Sequence, residues 1–440
     1  MPTSFLPYEP NQTFLLPPSP SEWLREDHLV YFVSEIIDRL DLQKFYGRYE
    51  GDGRRNQPYD PGLLVKVLVY GYATRVFSSR QLARKLYEDV AFRFLAAGNF
   101  PSHRTICEFR MRHLPELKEL FVAVARLARE LGLVKLGTVA LDGTKVKAHA
   151  SKHKAMSYGR MKEQEQKLKE EIEALMKRAQ QTDAQEDAQY GEDQGEEPLP
   201  EELKRRHDRL AKIEAAKARV EERQAQADRE KGRHPDDGQR RGDGSGRPFK
   251  RPFGVPKDKA QDNFTDPESR IMKLGGSFEQ CYNGQAVVDA DSQLIVASDL
   301  TNNAADNGQL VTMVEAVKEN FGELPNRVLS DSGYRSEQGF AELEQKGVQA
   351  LVALGREGQK QAAIEPKRYP ATARMAERLA SKEGQARYRR RKAIVEPVFG
   401  WIKHAMGFRQ FSLRGIDKVR GEWGLVCLAL NVRRMWALQR

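Results

Sequence analysis

The sequence predicts an α/β protein, in which a mixed sheet is interrupted by a helical coiled-coil insertion and preceded by an all-α N-terminal region. Three observations support this. Apolar residues recur at helical spacing in the first part of the chain, short apolar runs typical of buried strands begin at Val139, and two charged heptad-like segments follow the first such run. The predicted boundaries are 1–133 for the helical region, 134–154 with 261–440 for the sheet, and 155–260 for the insertion.

The N-terminal region divides into short helices with recognisable starts. Asp60-Pro61 pairs a good N-cap residue with a proline suited to the first turn, and serines precede the helical segments that begin near Ser79 and His103. Two interpretations fit these helices: a DNA reader of the helix-turn-helix type, or a small bundle whose arginines are solvated.

The insertion has the pattern of an antiparallel helical hairpin. Met161, Leu168 and Leu175 are spaced by seven, residues 182–202 are strongly acidic and predicted as a loop, and a second heptad-like run begins at Leu203. Residues 231–259 are rich in Gly, Arg and Pro, which predicts a flexible linker.

The strands of the predicted sheet end in polar residues. Val139-Ala140-Leu141 leads directly into Asp142, which predicts a carboxylate near the exit of a buried strand, and a second run of the same type leads into Asp331. Two apolar runs around the turn Asp289-Ala290-Asp291-Ser292 predict a β-hairpin. The chain after residue 370 is mostly helical, and Glu396 lies within it.

The charge distribution points to a polyanionic partner. The chain of 440 residues carries a net charge of +10, and residues 387–440 alone contain 13 Lys and Arg against three acids. A solvated basic face or tail is the alternative explanation.

The sequence also predicts the compartment. Its three cysteines, Cys107, Cys281 and Cys427, show no metal-type spacing and predict buried thiols in a reducing environment. No basic and apolar leader is evident, and no apolar run approaches the roughly 20 residues that a membrane helix needs. We therefore expect a cytoplasmic protein without membrane contact.

Asp142, Asp331 and Glu396 together suggest metal-dependent chemistry. Clustered carboxylates hold the divalent ions that activate the attacking oxygen and stabilise the leaving oxygen in phosphodiester cleavage, and Mg²⁺ prefers such hard oxygen ligands. Taken singly, each acid has an equally good structural explanation, because Asp residues often cap turns.

Several motifs, in a fixed order, resemble bacterial insertion-sequence transposases of the DDE class. They are Tyr59-Asp60-Pro61, Leu141-Asp142-Gly143-Thr144, Phe264-Thr265-Asp266-Pro267, Tyr282-Asn283-Gly284-Gln285, Ser330-Asp331-Ser332-Gly333-Tyr334, Val395-Glu396-Pro397-Val398-Phe399 and Gly407-Phe408-Arg409. The resemblance implies an RNase H-like catalytic domain in which Asp142, Asp331 and Glu396 are the catalytic and metal-binding residues. It also implies Mg²⁺ as the cofactor, with Mn²⁺ as a substitute.

The implied function is transposition. Such a protein binds the terminal inverted repeats of its own insertion sequence, cleaves the strand and joins it to target DNA. Its partners are double-stranded DNA, at the element ends and at the target, and a second copy of the chain, with which it forms a homodimer on DNA. Such a protein is expected in the bacterial cytoplasm, associated with the nucleoid. The alternatives are an RNase H-like nuclease without strand transfer, and a catalytically inactive relict that acts as a DNA-binding protein.

The resemblance also implies DNA-binding residues around Glu396. Relatives carry a tyrosine, arginine, glutamate and lysine signature, which Tyr388, Arg391, Glu396 and Lys403 match in part. Glu396 lies five residues after Arg391 instead of four, and the expected arginine position holds Lys392. The candidate DNA-binding residues are Tyr388, Arg389, Arg390, Arg391, Lys392 and Lys403.

Other polar and aromatic residues favour structural roles. His149 and His153 have the spacing of a zinc pair, but no third ligand accompanies them. Asp266 and Asp306 have the sequence context of turn or cap residues. Helical-core spacing explains the tryptophans at 401, 423 and 436.

Overall fold

The computed structural model describes residues 19–49, 57–190, 201–235, 249–355 and 364–440. Part of the predicted acidic loop, 191–200, and part of the predicted linker, 236–248, lie outside the described residues. Within these ranges no helix combines the length and the apolar character needed to cross a membrane.

The N-terminal region is helical, as predicted. Its helices are α1 (Leu29–Asp38), α2 (Gln43–Tyr46), α3 (Pro61–Ala73), α4 (Ser79–Glu88), α5 (Val90–Leu95), α6 (His103–Arg112) and α7 (Leu114–Glu130). The predicted caps are present: the Asp60 carboxylate accepts a hydrogen bond from the backbone N–H of Leu63, and the Ser102 hydroxyl accepts one from that of Thr105.

A mixed sheet follows, and it contains most of the strands. The strands are β1 (Thr138–Lys147), β2 (Ala155–Ser157), β3 (Gln261–Asn263), β4 (Arg270–Leu274), β5 (Ser277–Asp289), β6 (Ile295–Thr301), β7 (Arg327–Ser330) and β8 (Gln349–Val352). The order is β4-β5-β1-β7-β8, and β6 pairs with β5 as the predicted hairpin. β1 is antiparallel to β5 and parallel to β7, and β7 is parallel to β8.

Strand β1 is longer than its apolar run predicted. It continues for five residues past Asp142, to Lys147, so Asp142 lies inside the strand and not at its exit. The reason is pairing on both sides: β5 accompanies β1 as far as Cys281, and the backbone of Lys147 bonds to Arg409 and Phe411. Pairing with β7, in contrast, stops at Ala140.

The remaining helices cover the sheet or form the insertion. They are α8 (Tyr158–Tyr190), α9 (Glu201–Glu230), α10 (Gln309–Phe321), α11 (Glu337–Gln345), α12 (Pro370–Ala380), α13 (Lys382–Arg389), α14 (Arg391–Gly400) and α15 (Ile416–Leu438). Helix α8 includes residues 182–190, which we predicted as loop. Alanine and glutamine favour a helix there despite the acidic charge.

Helices α8 and α9 form an antiparallel pair with a small core of its own. Met161 and Leu168 of α8 pack with Ile213 and Val220 of α9. Ion pairs run along the pair in antiparallel order, from Glu165–Lys217 at 2.8 Å to Glu171–Arg206 at 3.1 Å.

The base of this pair is fixed to the sheet region by a buried carboxylate. Asp262, on β3, is bound by Arg219 at 2.6 Å and by Arg223 at 2.9 Å, both from α9. The described end of the predicted linker also packs here: the Gly254 N–H donates to Asp228, and Phe249 lies 4.0 Å below the Arg233 guanidinium. Residues 249–259 are therefore part of the folded base.

Helix α15 joins the sheet to the N-terminal helices. Trp423 is fully buried, its indole N–H donates to the carbonyl of Gln285 on β5, and its ring lies where a side chain at Gly284 would collide with it. On its other side α15 packs against α3 and α7. One hydrophobic core therefore extends from the N-terminal helices through the sheet.

A buried histidine in this core predicts a pH-dependent stability. His113 is packed between the rings of Phe45 and Phe109 with both ring nitrogens unbonded among the described residues, and burial lowers its pKa from the usual 6.5 to about 4. Below pH 6.5 the unfolded state takes up the proton first, so this contribution to stability is present above pH 6.5 and is lost as the pH falls toward 4. We expect His113→Phe to flatten that loss, measured as urea midpoints across this pH range.

The control is His207→Phe, which makes the same change at an exposed position on α9. It should leave the pH dependence unchanged. An unaltered pH dependence in His113→Phe would show that another group causes the acid sensitivity.

Candidate active site

Parallel pairing of β1 and β7 brings Asp142 and Asp331 together. Ala140 lies opposite Leu329, so two residues further along the same register Asp142 lies beside Asp331. Asp331 begins the 3₁₀ turn Ser332–Tyr334 and accepts the Gly333 N–H at 2.9 Å.

The two carboxylates affect each other electrostatically. Burial and, after it, the negative charge of Asp331 raise the pKa of Asp142 to about 6, although the Gly143 N–H and Arg391 oppose the shift. Two acids on adjacent strands therefore hold a concentration of negative charge that favours a proton or a cation.

Arg391 supplies a positive charge next to these aspartates. Its guanidinium donates to Asp142 Oδ2 at 3.0 Å, and its side chain is only 10% exposed. Burial opposes the charged guanidinium, but the attraction of Asp142, Tyr388 and Asp331 outweighs it and raises the Arg391 pKa. Arg391 thus lies at the aspartates, whereas Arg389 and Arg390 are exposed, as is Lys392.

The position of Glu396 on its helix differs from that of Arg391. It lies on α14, five residues after Arg391, which is about 140° around a helix with 3.6 residues per turn. Ile394, Val395 and Val398 point into the core, and the Glu396 side chain is exposed. Within the described ranges, no group of three or more His, Cys, Asp or Glu side chains is arranged to hold a metal ion. The histidine pair His149 and His153 is therefore not part of such a group either.

Lys403 lies in a π-helical turn, Trp401–Ala405, that follows α14. We expected it on the same helix face as Glu396, but the π turn changes the register, and Lys403 is half-buried while Glu396 is exposed. Burial lowers the pKa of Lys403, and the nearby ammonium of Lys145 lowers it further. Lys145 lies on β1, three residues past Asp142.

Asp306 is the site residue that sequence reasoning passed over as a turn residue. Its Oδ1 accepts amide hydrogen bonds from Asn283 at 2.8 Å and from Gln285 at 2.7 Å, both on β5. Its Oδ2 and Asp331 Oδ1 both lie within 3.2 Å of the point where a Cβ on Gly333 would stand. A third carboxylate therefore lies next to Asp331.

A tyrosine completes this polar network. The Tyr334 hydroxyl donates to the side-chain oxygen of Gln285, and burial raises the Tyr334 pKa, with Asp306, Asp142 and Asp331 adding to the effect. The Asn283 and Gln285 amides belong to the motif Tyr282-Asn283-Gly284-Gln285, and their alternation on a strand was the available signal. The other acid that we weighed, Asp266, is structural, because it accepts the Tyr282 hydroxyl at 2.8 Å.

The donor set fits a divalent cation in part. Asp142 and Asp331 supply hard oxygen ligands, and the negative charge of Asp331 adds to burial in raising the pKa of Asp142. Asp306 adds a carboxylate beside them. The third expected ligand, Glu396, lies on α14 with an exposed side chain.

The prediction of buried free thiols is confirmed for Cys281 and Cys427, whereas Cys107 is free but only partly buried. Burial raises the pKa of the Cys281 thiol to about 11, so it is protonated at neutral pH and takes no part in the chemistry of the site.

Comparison with known families assigns the chain. The family described as "Transposase DDE domain" matches residues 243–432, which include Asp331, Glu396 and Lys403, and the family described as "Transposase domain (DUF772)" matches residues 18–112. Asp142 lies between the two matched ranges. Searches of curated proteins and of solved structures found no match. The two family matches, on the N-terminal helices and on the part of the sheet that carries Asp331, show that this chain is an insertion-sequence DDE transposase.

Proposed function

We propose that this transposase binds the terminal inverted repeats of its own insertion sequence and catalyses metal-dependent strand cleavage and strand transfer. The observation that carries the proposal is the adjacency of Asp142 and Asp331 on the parallel strands β1 and β7. An RNase H-like catalytic sheet is part of the proposal. It is supported by a central strand that carries the first acid and a parallel neighbour that carries the second.

Mg²⁺, with Mn²⁺ as a substitute, is the proposed cofactor, and Asp142, Asp331 and Glu396 are its proposed ligands. When bound, the metal supplies charge stabilisation for the attacking and leaving oxygens of the phosphodiester. Arg391 holds Asp142 in orientation, and Tyr334 and Asp306 hold the Gln285 amide between them. These protein groups keep the aspartates in place before DNA arrives.

Ligation by Glu396 requires a change at α14. The side chain is exposed in this structure, and the Arg391–Asp142 ion pair holds the start of α14 against β1. A metal ion at Asp142 would compete with the Arg391 guanidinium, which would free α14 to turn. Arg391 would then be available to a DNA phosphate, as proposed for it from the sequence.

The proposed DNA surface is the basic segment around α14. Tyr388, Arg389, Arg390, Arg391, Lys392 and Lys403 are its members. Arg389, Arg390 and Lys392 are exposed, and Lys403 is half-buried beside a second lysine, which favours an anion between them. The N-terminal helices α4 to α6 are proposed as the sequence reader.

A catalytically inactive relict that retains DNA binding is the second candidate. It is favoured by one observation: within the described ranges, no group of three or more His, Cys, Asp or Glu side chains is arranged to hold a metal ion. Strand transfer on DNA that carries the element ends, with and without Mg²⁺, distinguishes the candidates. Joined products support the transposase, cleavage without joining supports an RNase H-like nuclease, and binding alone supports the relict.

The first prediction concerns the three acids. Asp142→Asn, Asp331→Asn and Glu396→Gln each remove one negative charge at nearly constant volume, so we expect each to reduce nicking of labelled end DNA by at least about 100-fold, the order found when a preorganised electrostatic contact is lost. End binding, measured in parallel, should change little. Near-wild-type nicking by any variant would remove that residue from the metal site.

A second prediction concerns Asp306. Asp306→Asn replaces an acceptor with a group that donates as well, opposite the amides of Asn283 and Gln285, so the network must rearrange. We expect a loss of nicking with DNA affinity unchanged, together with a higher Mg²⁺ concentration for half-maximal activity. Asp299→Asn is the matched control, because Asp299 is paired with Arg420 on α15. Normal activity and metal dependence of Asp306→Asn would leave Asp306 as a turn residue only.

The third prediction concerns the insertion. We propose that residues 155–260 are a helical insertion through which two copies meet as a homodimer on DNA, since the outer part of the pair leaves Met176 exposed. Deleting all of it would leave Asp262 buried without Arg219 and Arg223, so the deletion should remove only the outer part. Replacing residues 173–205 with a short Gly/Ser linker keeps the packing of Leu168 with Ile213.

We expect this shortened protein to retain its circular dichroism spectrum and single-end binding but to fail to pair two ends in a gel assay. Normal end pairing would show that the outer part of the hairpin is dispensable for assembly. A lost fold would show that it belongs to the core.

A further inference from the structure

An arginine-rich cavity lies on the molecule away from the aspartates. It has a volume of about 520 Å³ and is formed where the start of α1, the end of α3 and the end of α15 meet. Its lining includes four arginine side chains and one acidic side chain, namely Arg25, Arg75, Arg433, Arg440 and Asp27. The lining thus carries an excess of positive charge.

The one aspartate is already engaged. Asp27 is paired with Arg25 at 3.1 Å and with Arg440. The other two arginines bind backbone carbonyls, Arg433 that of Ala73 at 2.9 Å and Arg75 that of Ala405 at 2.5 Å. Neither has an ion pair with an acid in the described part of the chain, so their charge lacks a carboxylate partner.

The two unpaired arginines are also close to each other. Burial lowers the pKa of Arg433, and the positive charge of Arg75 lowers it further. Like charges held together at a partly buried position repel each other, and an anion between them relieves that repulsion. Guanidinium groups suit phosphate in particular, because their planar set of donors matches its oxygens.

A helix terminus adds to the positive potential. Helix α1 begins at the cavity, where His28 and Leu29 belong to its lining. The N-terminal end of a helix carries a partial positive charge, which favours an anion, although His28 already accepts the N–H of Val30 at 3.2 Å. The arginines and the helix end therefore act on the same cavity.

The backbone conformation of Arg75 also indicates that the arginine side chain is required at this position. Arg75 follows the end of α3 with φ +72°, a left-handed conformation that glycine adopts without strain and arginine does not. Strain of this kind persists where the side chain is needed for something else. Arg75 contacts the carbonyls of His404 and Ala405, which directly follow Lys403.

We propose that this cavity binds a phosphate group of the DNA backbone. The proposal rests on the proposed function, because it takes DNA as the partner. DNA is favoured over a small molecule for two reasons: the cavity adjoins the Lys403 segment of the proposed DNA surface through Arg75, and the Arg25 side chain at its rim is 84% exposed, which leaves room for a continuous strand.

The test uses two variants with different structural effects. Arg433→Gln removes the charge but keeps a donor for the Ala73 carbonyl. Arg75→Gly removes the guanidinium and relieves the left-handed backbone. For each, the affinity for a random-sequence duplex is measured by fluorescence anisotropy over a range of KCl concentrations. Each lost phosphate contact should reduce the slope of log affinity against log salt by about 0.9.

Three further proteins calibrate this measurement. Lys403→Gln shows the effect of losing one contact of the proposed DNA surface. Arg374→Gln removes an exposed charge on α12 that is paired with Glu344, and it should leave the slope at the wild-type value. Arg433→Lys keeps the positive charge, so the slope of log affinity against log salt should remain close to that of the wild type.

A second arm separates DNA from free phosphate. Thermal melting of the wild type and of Arg433→Gln is compared in inorganic phosphate and in chloride at equal ionic strength. A reduced slope in both test variants but not in Arg374→Gln supports the proposal. Unchanged slopes overturn it, and if phosphate then raises the melting temperature of the wild type alone, the occupant is a small phosphate compound and not DNA.

The proposed function fails separately. A wild type that binds no duplex at any salt concentration refutes DNA as the partner, and with it the occupant proposed for the cavity. If the wild type binds DNA and both variants show the same slope of log affinity against log salt as the wild type, phosphate binding in the cavity is refuted and DNA as the partner is not. If Arg433→Gln does not fold, Arg75→Gly still decides the outcome, because its backbone is less strained than that of the wild type.

Discussion

The buried carboxylate of Glu422 holds the separate parts of this transposase in one arrangement. On α15, without solvent exposure, it accepts hydrogen bonds from the Tyr72 hydroxyl of α3 at 3.0 Å and from the backbone N–H groups of Ser412 and Leu413 at 2.9 and 3.1 Å. Arg110 of α6 donates to the same tyrosine hydroxyl at 2.9 Å. Breaking a buried charge network of this type costs roughly 3–5 kcal/mol, because the remaining charge is left uncompensated.

The geometry of the candidate site depends on this network. Residues 412 and 413 directly follow Phe411, whose N–H bonds to Lys147 and continues the sheet beside the last part of β1. The same network ties α3 and α6 to α15, which packs on β5 and β6. The N-terminal helices, β1 and the Lys403 segment are therefore positioned together.

Charge compensation is the second constraint on the site. Burial, together with the negative charge of Asp331, raises the pKa of Asp142 to about 6, and the contact with Arg391 opposes this shift only in part. Arg391 makes this contact directly, through its 3.0 Å hydrogen bond to Asp142 Oδ2. Under the proposed function, a cation at the aspartates would compete with Arg391 for Asp142, which would link metal binding to DNA binding through a single side chain.

The sequence allowed good prediction of features that depend on local patterns. Helix starts at Asp60 and Ser102 and the hairpin of β5 and β6 follow from capping residues, strand alternation and apolar runs. Prediction from the sequence failed where the strand-pairing partners come from distant parts of the chain. Strand β1 extends beyond its apolar run because β5 and residues 409–411 pair with it. No local property of residues 143–147 indicates those partners.

The amino-acid sequence by itself therefore determined the class of protein, the order of its helices and strands, and two of its candidate catalytic acids. Only the tertiary structure decided that Arg391 lies at Asp142, that Asp306 joins the site through Asn283 and Gln285, and that Glu396 faces solvent. The physical reason is that short-range periodicity sets which face of an element is apolar, while the direction of a polar side chain depends on packing. Arg391 and Asp142 are 249 residues apart, and their contact exists only once α14 has packed on β1.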